Sequence, residues 1–233
     1  MNSLLNNSLF GIMLSLFAFE VGCYINKKTK IPIFNPLLIS ITIVIGVLVG
    51  FQIDFNVYNK GGEFINMFLG PATVILAVPL YKQISLLKKH VVPILVGIFI
   101  GSTVGIISII LLSHALGLNE ILIKSLAPKS VTTPIGIEIS KQMKGIAPIT
   151  VAAIVISGIF GAIVGQPIFK LLRIKSKIAI GISLGTASHA VGTAKALEIG
   201  ETEGAMSSLA IGIAGLMTVF LAPIIYTILI KII

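Results

Sequence analysis

The chain has 233 residues, 56% hydrophobic and 11% charged, with a formal net charge of +9. A soluble domain carries ~25% charged residues, so a water-facing globular surface is excluded and an all-α integral membrane protein is expected, built from helices because no alternating barrel strands are present. The basic residues lie between apolar runs, with no basic stripe interleaved with aromatics, so the charge reads as membrane orientation and contact with anionic lipid, not as a nucleic-acid surface.

The apolar segments, in chain order, are 5–25, 33–51, 64–81, 91–113, 119–140, 147–169, 178–199 and 205–230, each near the roughly 20 residues a span requires. The first lacks the basic region of a signal peptide before it, and Lys27, Lys28 and Lys30 follow it, so it reads as a retained span. Its Cys23 is the single cysteine, which allows no intrachain disulfide and reads as packing. Its Glu20, buried alone, would protonate or find a partner. In the third segment, "GPATVILAVPLY", Pro71 and Pro79 bracket a small-residue helix containing Thr73. This is either packing with a kink or a broken helix lining a site.

The segment 119–140, "NEILIKSLAPKSVTTPIGIEIS", is the least hydrophobic. Pro128 and Pro134 cannot both sit in one regular helix, because each lacks an N–H and clashes with the carbonyl four residues back. Residues 128–134 are therefore expected to be unwound, with freed N–H groups and the hydroxyls of Ser130, Thr132 and Thr133 forming an anion cradle beside Lys129. A helix restarting near Pro134 would point its positive end at the same spot. The plainer alternative is a surface loop with a helix N-cap.

The segment 178–199 contains "GTASHAVGTAKA", a polar patch in apolar sequence. A lysine at a membrane helix centre costs about 2.5–3.5 kcal/mol. His189 and Lys195 do not share a face of a straight helix, but an interruption at Gly185 or Gly192 would change that. Ser188, His189, Thr193 and Lys195 could then bind a carboxylate, and His189 could carry a proton. The plainer readings are close helix packing through small residues, Lys195 reaching to an interface, and local pairs of Glu198 with Lys195 and Glu138 with Lys141.

Basic residues favour the cytoplasmic side. The clusters are Lys27/Lys28/Lys30, Lys82/Lys88/Lys89 with His90, and Lys170/Arg173/Lys175/Lys177. If every segment crosses, the last cluster falls outside. It returns inside if 119–140 is re-entrant, which gives about seven transmembrane helices plus one re-entrant or broken segment, with the N-terminus outside; full crossing by every segment is the alternative. "LGPATVILAVPLYK" (69–82) and "LGTASHAVGTAKAL" (184–197) then run oppositely, suggesting inverted repeats 33–113 and 147–231 with interrupted helices inside a single multi-pass membrane domain, 1–233. The three histidines lie apart, and no phosphate loop or nucleophile–base arrangement is present, so no metal, no cofactor and no enzymatic activity are expected.

Together, "PATVILAVPLYKQ", "SVTTPIG" and "GTASHAVGTAKA" resemble the signature stretches of the LrgB/CidB family of antiholin-like bacterial membrane proteins, over about residues 5–231. The resemblance implies a multi-pass protein of the bacterial plasma membrane, linked to control of murein hydrolase activity, autolysis and programmed cell death. It also implies a small holin-like membrane protein as partner. A plastid relative, resembling the second half of this chain, moves glycolate and glycerate, and bacterial members are connected with pyruvate. Two functions follow as expectations. One is a secondary transporter of small monocarboxylates, self-associating in the bilayer. The other is a holin/antiholin-like regulator that forms or blocks pores without a substrate site.

Overall fold

A computed structural model describes residues 8–29, 31, 34–68, 71, 74–75 and 77–232, and among them every regular element is helical. The chain divides into two compact units, Met1–Ile75 and Leu76–Ile233.

The first unit holds α1 (Ser8–Thr29), α2 (Pro36–Gly50) and α3 (Phe55–Asn66). Glycine permits the contacts of α1: a Cβ on Gly11 would strike the Tyr58 carbonyl of α3, and one on Gly22 would meet the start of α2 at Pro36. Ser15 and Tyr58 pair their hydroxyls at 2.8 Å. Asn35 and Asp54 cap α2 and α3. Glu20 is exposed on α1, and Cys23 is half-buried.

The second unit holds α4 (Ala77–Lys82), α5 (Ile84–Lys89), α6 (Val91–Ala115), α7 (Glu120–Leu126), α8 (Thr133–Gln142), α9 (Ala147–Leu171), α10 (Lys177–Ile199) and α11 (Glu201–Leu229). Among the described residues, α1, α6, α9 and α11 are long and apolar enough to cross a membrane, and α2 is a shorter apolar helix. Their large exposed side chains, such as Phe99, Ile156, Phe160 and Phe220, are what a lipid-facing surface requires. The expected span 64–81 begins in α3 and ends in α4, and 69–70, 72–73 and 76 within it lie outside the described residues.

The stretch 119–140 is interrupted, as its prolines require. After Leu126 the chain makes tight turns (Lys129 N–H to Leu126 O, 3.1 Å; Val131 N–H to Pro128 O, 3.4 Å) and helix resumes at Thr133 with Pro134 in its first turn. The two arms fold back on each other. Thr150 of α9 donates to the Ser125 carbonyl on α7 at 2.8 Å, and its oxygen lies 2.7 Å from Ser140 Oγ on α8. Further along α9, Ile154 fills the space left at Gly136, and Ser157 donates to the Lys129 carbonyl at 2.7 Å. Helices α7 and α8 are thus the two arms of a hairpin laid on α9, with its tip at 128–131.

A second hairpin stands where hydropathy alone reads a span. Within α10, His189 has φ 42° and ψ −131° and divides the helix into arms 177–188 and 190–199. In a straight helix Leu184 and Gly192 would be ~12 Å apart; here a Cβ on Gly192 would strike the Leu184 carbonyl. Ser207 of α11 touches both Gly185 and Thr193, one on each arm. Gly181 and Leu197 likewise both meet the start of α11. The expected opening at Gly185 or Gly192 therefore falls at His189 instead. Both glycines are spent on close approach: Gly185 admits the Ser207 backbone and Gly192 admits the opposite arm.

Contacts fix the directions. Gly97 of α6 meets Ile182 and Gly101 meets Thr186, so α6 and the first arm of α10 run parallel. Ile94 and Ile98 pack with Ala205–Ala214 of α11, while Ile106 and Ile110 pack with Ala222–Tyr226, so α6 and α11 also run parallel. Tyr226 donates to Glu120 at 3.2 Å at one end, and Lys82 pairs with Glu201 at 3.5 Å at the other. The unit thus reads: α6 up, a hairpin entering from the top, α9 down, a hairpin entering from the bottom, α11 up. Residues 120–171 and 177–229 repeat hairpin-then-helix in opposite senses. The repeat expected between 33–113 and 147–231 draws its first half from both units and is not part of this relation. The clusters 82–90 and 170–177 meet at one end, which removes the orientation conflict raised by counting every segment as a crossing.

Candidate functional site

The hairpin tips converge on the middle of α9. The first tip is tied to Ser157 through the Lys129 carbonyl. The second is tied to the Ile154 carbonyl, 2.9 Å from His189 Nε2; a carbonyl only accepts, so Nε2 carries the proton. The imidazole, 5% exposed, lies against Gly158, where a Cβ would come within 2.6 Å of the ring. Thr193 donates to the His189 carbonyl at 3.0 Å, and Ser207 Oγ lies 2.7 Å from Thr193; with its own proton so used, Thr193 accepts from Ser207. Two helices begin at the tips, α8 at Thr133 and the second arm of α10 after His189. Both place the positive ends of their dipoles near the middle of α9, an arrangement used for anionic substrates in carriers with broken helices.

Beside the tips lies a cavity of about 600 Å³. One wall is the glycine face of α6, Gly97, Gly101 and Gly105; another is the first arm of α10, with Ile182, Ser183 and Thr186; Lys129 and Ser130 of the first tip close the deep end. His90 and Ser176 line it at the end carrying the basic clusters. Without side chains on α6, the hairpin arm approaches closely: a Cβ on Gly101 would lie 3.2 Å from Thr186 Cγ2.

Two polar groups of this wall, Lys129 and Thr186, have bonding capacity left over. Among the described residues, Lys129 Nζ reaches only the neighbouring Ser130 hydroxyl, at 3.1 Å, and no ion pair there includes it. Thr186 is 6% exposed and its hydroxyl has no partner among the described residues; the hydroxyls of Ser102, Thr103 and Ser188 also have none there, but they do not line the cavity. Several other buried or half-buried hydroxyls find a partner, some of them the carbonyl four residues back, as at Ser40 of α2 and Ser208 and Thr218 of α11. An unpaired buried hydroxyl costs about 1–3 kcal/mol, so Thr186, the one of these that lines the cavity, points to a polar occupant.

Of the residues expected from sequence, Ser130 is in the wall. Pro128, fully buried, shapes the bend next to it. Thr132 is the N-cap of α8, Thr133 and the exposed Pro134 begin that helix, and none of these lines the cavity. Ser188 faces Gly161 of α9, while His189 and Thr193 lock the second tip. Lys195 is half-buried and pairs with Glu198 at 2.7 Å, so its charge is satisfied on its own arm; Lys141 pairs with Glu138 at 2.8 Å in the same way. Pro71 is exposed and helical; Thr73 lies outside the described residues, as does the side chain of Pro79. Sequence reasoning missed Thr186, used Lys129 only as added charge, and passed over the Gly97–Gly101–Gly105 spacing, a small-residue pattern visible in "GIFIGSTVG".

No solved structure matches the chain. Among curated relatives, an uncharacterized protein YxaC of Bacillus subtilis is 39% identical over 92% of this chain and 93% of its own length. Antiholin-like proteins LrgB of Bacillus cereus and Bacillus anthracis are 38% identical over 92% of this chain and 94% of theirs. The model of the LrgB-like family matches residues 15–228. With its apolar helices long enough to cross a bilayer and this match over most of its length, the chain is a multi-pass membrane protein that belongs to the LrgB-like family.

Proposed function

We propose that the protein is a secondary carrier of small monocarboxylates of the pyruvate and glycolate kind, working in the bacterial plasma membrane. The observation that carries this reading is the presence, in one cavity, of Lys129 and the buried Thr186 hydroxyl, which among the described residues have no carboxylate partner and no partner at all, respectively. A monocarboxylate supplies what each lacks: a negative charge for the ammonium and acceptor oxygens for Thr186 and Ser130. A single lysine in the wall suits one negative charge. The hairpins entering from opposite sides supply two independent gates to that point.

Relatives named antiholin-like motivate a link to murein hydrolase control and autolysis. We connect it to transport: organic-acid flux alters the proton gradient to which autolysis responds. A small holin-like membrane protein and further copies of this chain are the partners proposed for that role; no catalytic step is assigned.

The site is tested by Thr186→Cys in a Cys23→Ser background. A membrane-impermeant thiol reagent applied from the basic-cluster side should modify Cys at this position, and millimolar pyruvate or glycolate should slow the modification severalfold. Modification at an unchanged rate under saturating concentrations of every short-chain acid tried would place the substrate elsewhere.

A further inference from the structure

A second depression, of about 470 Å³, lies at the end of the unit where α9 finishes and α10 begins. Its cations are Lys170, Arg173 and Lys175, all exposed, and none of them joins an ion pair among the described residues. They are gathered by the way α9 stops: Arg173 takes a left-handed conformation (φ 55°), and the N–H of Ile174 returns to the Phe169 carbonyl at 2.8 Å, turning the chain back beneath the helix. Apart from Gln166, the rest of the depression's lining is apolar. Phe169 comes from α9, Ile180 from the first arm of the second hairpin and Ile199 from the end of the other arm. Just outside, Leu171 and Leu172 are 80% and 63% exposed, which suits contact with hydrocarbon and not water.

We propose that this groove is a binding site for one anionic phospholipid. The phosphate lies among Lys170, Arg173 and Lys175, and the upper acyl chain follows Phe169 and Ile180. Two observations select a lipid over a free anion. The cations rim an apolar floor, where inorganic phosphate would leave the floor in water. The groove also opens beside leucines that already demand lipid. Basic pockets between membrane helices at the cytoplasmic side bind anionic headgroups through this combination. Because Ile180 and Ile199 belong to the two arms of one hairpin, the lipid touches the base of both. This site is independent of the carrier reading.

The experiment is native mass spectrometry of the full-length protein in detergent, titrated with phosphatidylglycerol or phosphatidylcholine. The wild type should retain phosphatidylglycerol far better than phosphatidylcholine. Lys170→Gln, Arg173→Gln and Lys175→Gln should each weaken it roughly fivefold, and the triple variant on the order of a hundredfold. Lys141→Gln with Lys144→Gln, at the opposite end, should change nothing. Millimolar inorganic phosphate should not displace the lipid. Equal retention by wild type and Arg173→Gln overturns the proposal, and does so even if the triple variant does not fold. Displacement by phosphate overturns it too, assigning the cations to a soluble anion.

Discussion

His189 Nε2 donates to the carbonyl of Ile154 at 2.9 Å while the His189 backbone stands at φ 42°. One residue thus ends a helix, turns the chain and fastens the turn to α9. Side chains rarely tolerate such φ/ψ values, which cost of order 1–3 kcal/mol and persist only where the surroundings hold them. Here the holders are the Ile154 carbonyl on the ring and Thr193 on the His189 carbonyl.

The lock predicts a specific order of stabilities. His189→Ala removes the ring bond and keeps the strained backbone, so it should lower the melting temperature of the purified protein. His189→Gly loses the same bond but relieves the backbone, and should be the more stable of the two by roughly 1 kcal/mol. Thermal unfolding in detergent reads the order. The reverse order would show that the bend does not strain this position.

Lys129 and Thr186 predict a loss of affinity without a loss of fold. Lys129→Gln removes the charge and should raise the apparent KM roughly 10–100-fold, the weight of a charged hydrogen bond. Thr186→Val keeps the shape and should raise it less. Thermal stability of Thr186→Val should stay level or rise, because its hydroxyl has no partner to lose. A clear drop in stability would mean that the hydroxyl is structural.

The glycine face predicts a steric block. Gly101→Ala places a methyl 3.2 Å from Thr186 Cγ2 and should slow uptake modestly. Gly101→Leu fills the cavity beside Thr186 and should abolish uptake while membrane insertion, measured by yield and gel-filtration profile, is retained. Normal uptake by Gly101→Leu would take the transport route away from this cavity.

The topology is open to labelling. In a Cys23→Ser background, cysteines at Lys175 and His90 should react with an impermeant reagent from the same side, the cytoplasm, and a cysteine at Lys144 from the opposite side. Opposite sides for positions 175 and 90 would require α6 and the first arm of α10 to be antiparallel, against the Gly97–Ile182 and Gly101–Thr186 contacts.

The first hairpin was legible because proline has a local consequence: Pro128 and Pro134 forbid a continuous helix whatever surrounds them. The second was only half legible. "GTASHAVGTAKA" announced an opening, and its glycines were the natural place to put one, but the break falls at His189 because tertiary partners hold a conformation the residue would not adopt alone. Lys195 looked like a site charge in isolation; three residues on, Glu198 satisfies it, a pairing that spacing did announce. Thr186 could not have been singled out from its neighbours, since what distinguishes it is the lack of a partner, a property of the packed structure.

The most direct measurement of the central claim is uptake of labelled pyruvate and glycolate into proteoliposomes, comparing the wild type with Lys129→Gln at matched protein content. The account predicts saturable uptake by the wild type, competed by other short-chain monocarboxylates, and strongly reduced uptake by the variant at low substrate concentration. No saturable uptake of any small monocarboxylate by the folded wild type, or uptake unchanged in Lys129→Gln, would contradict it.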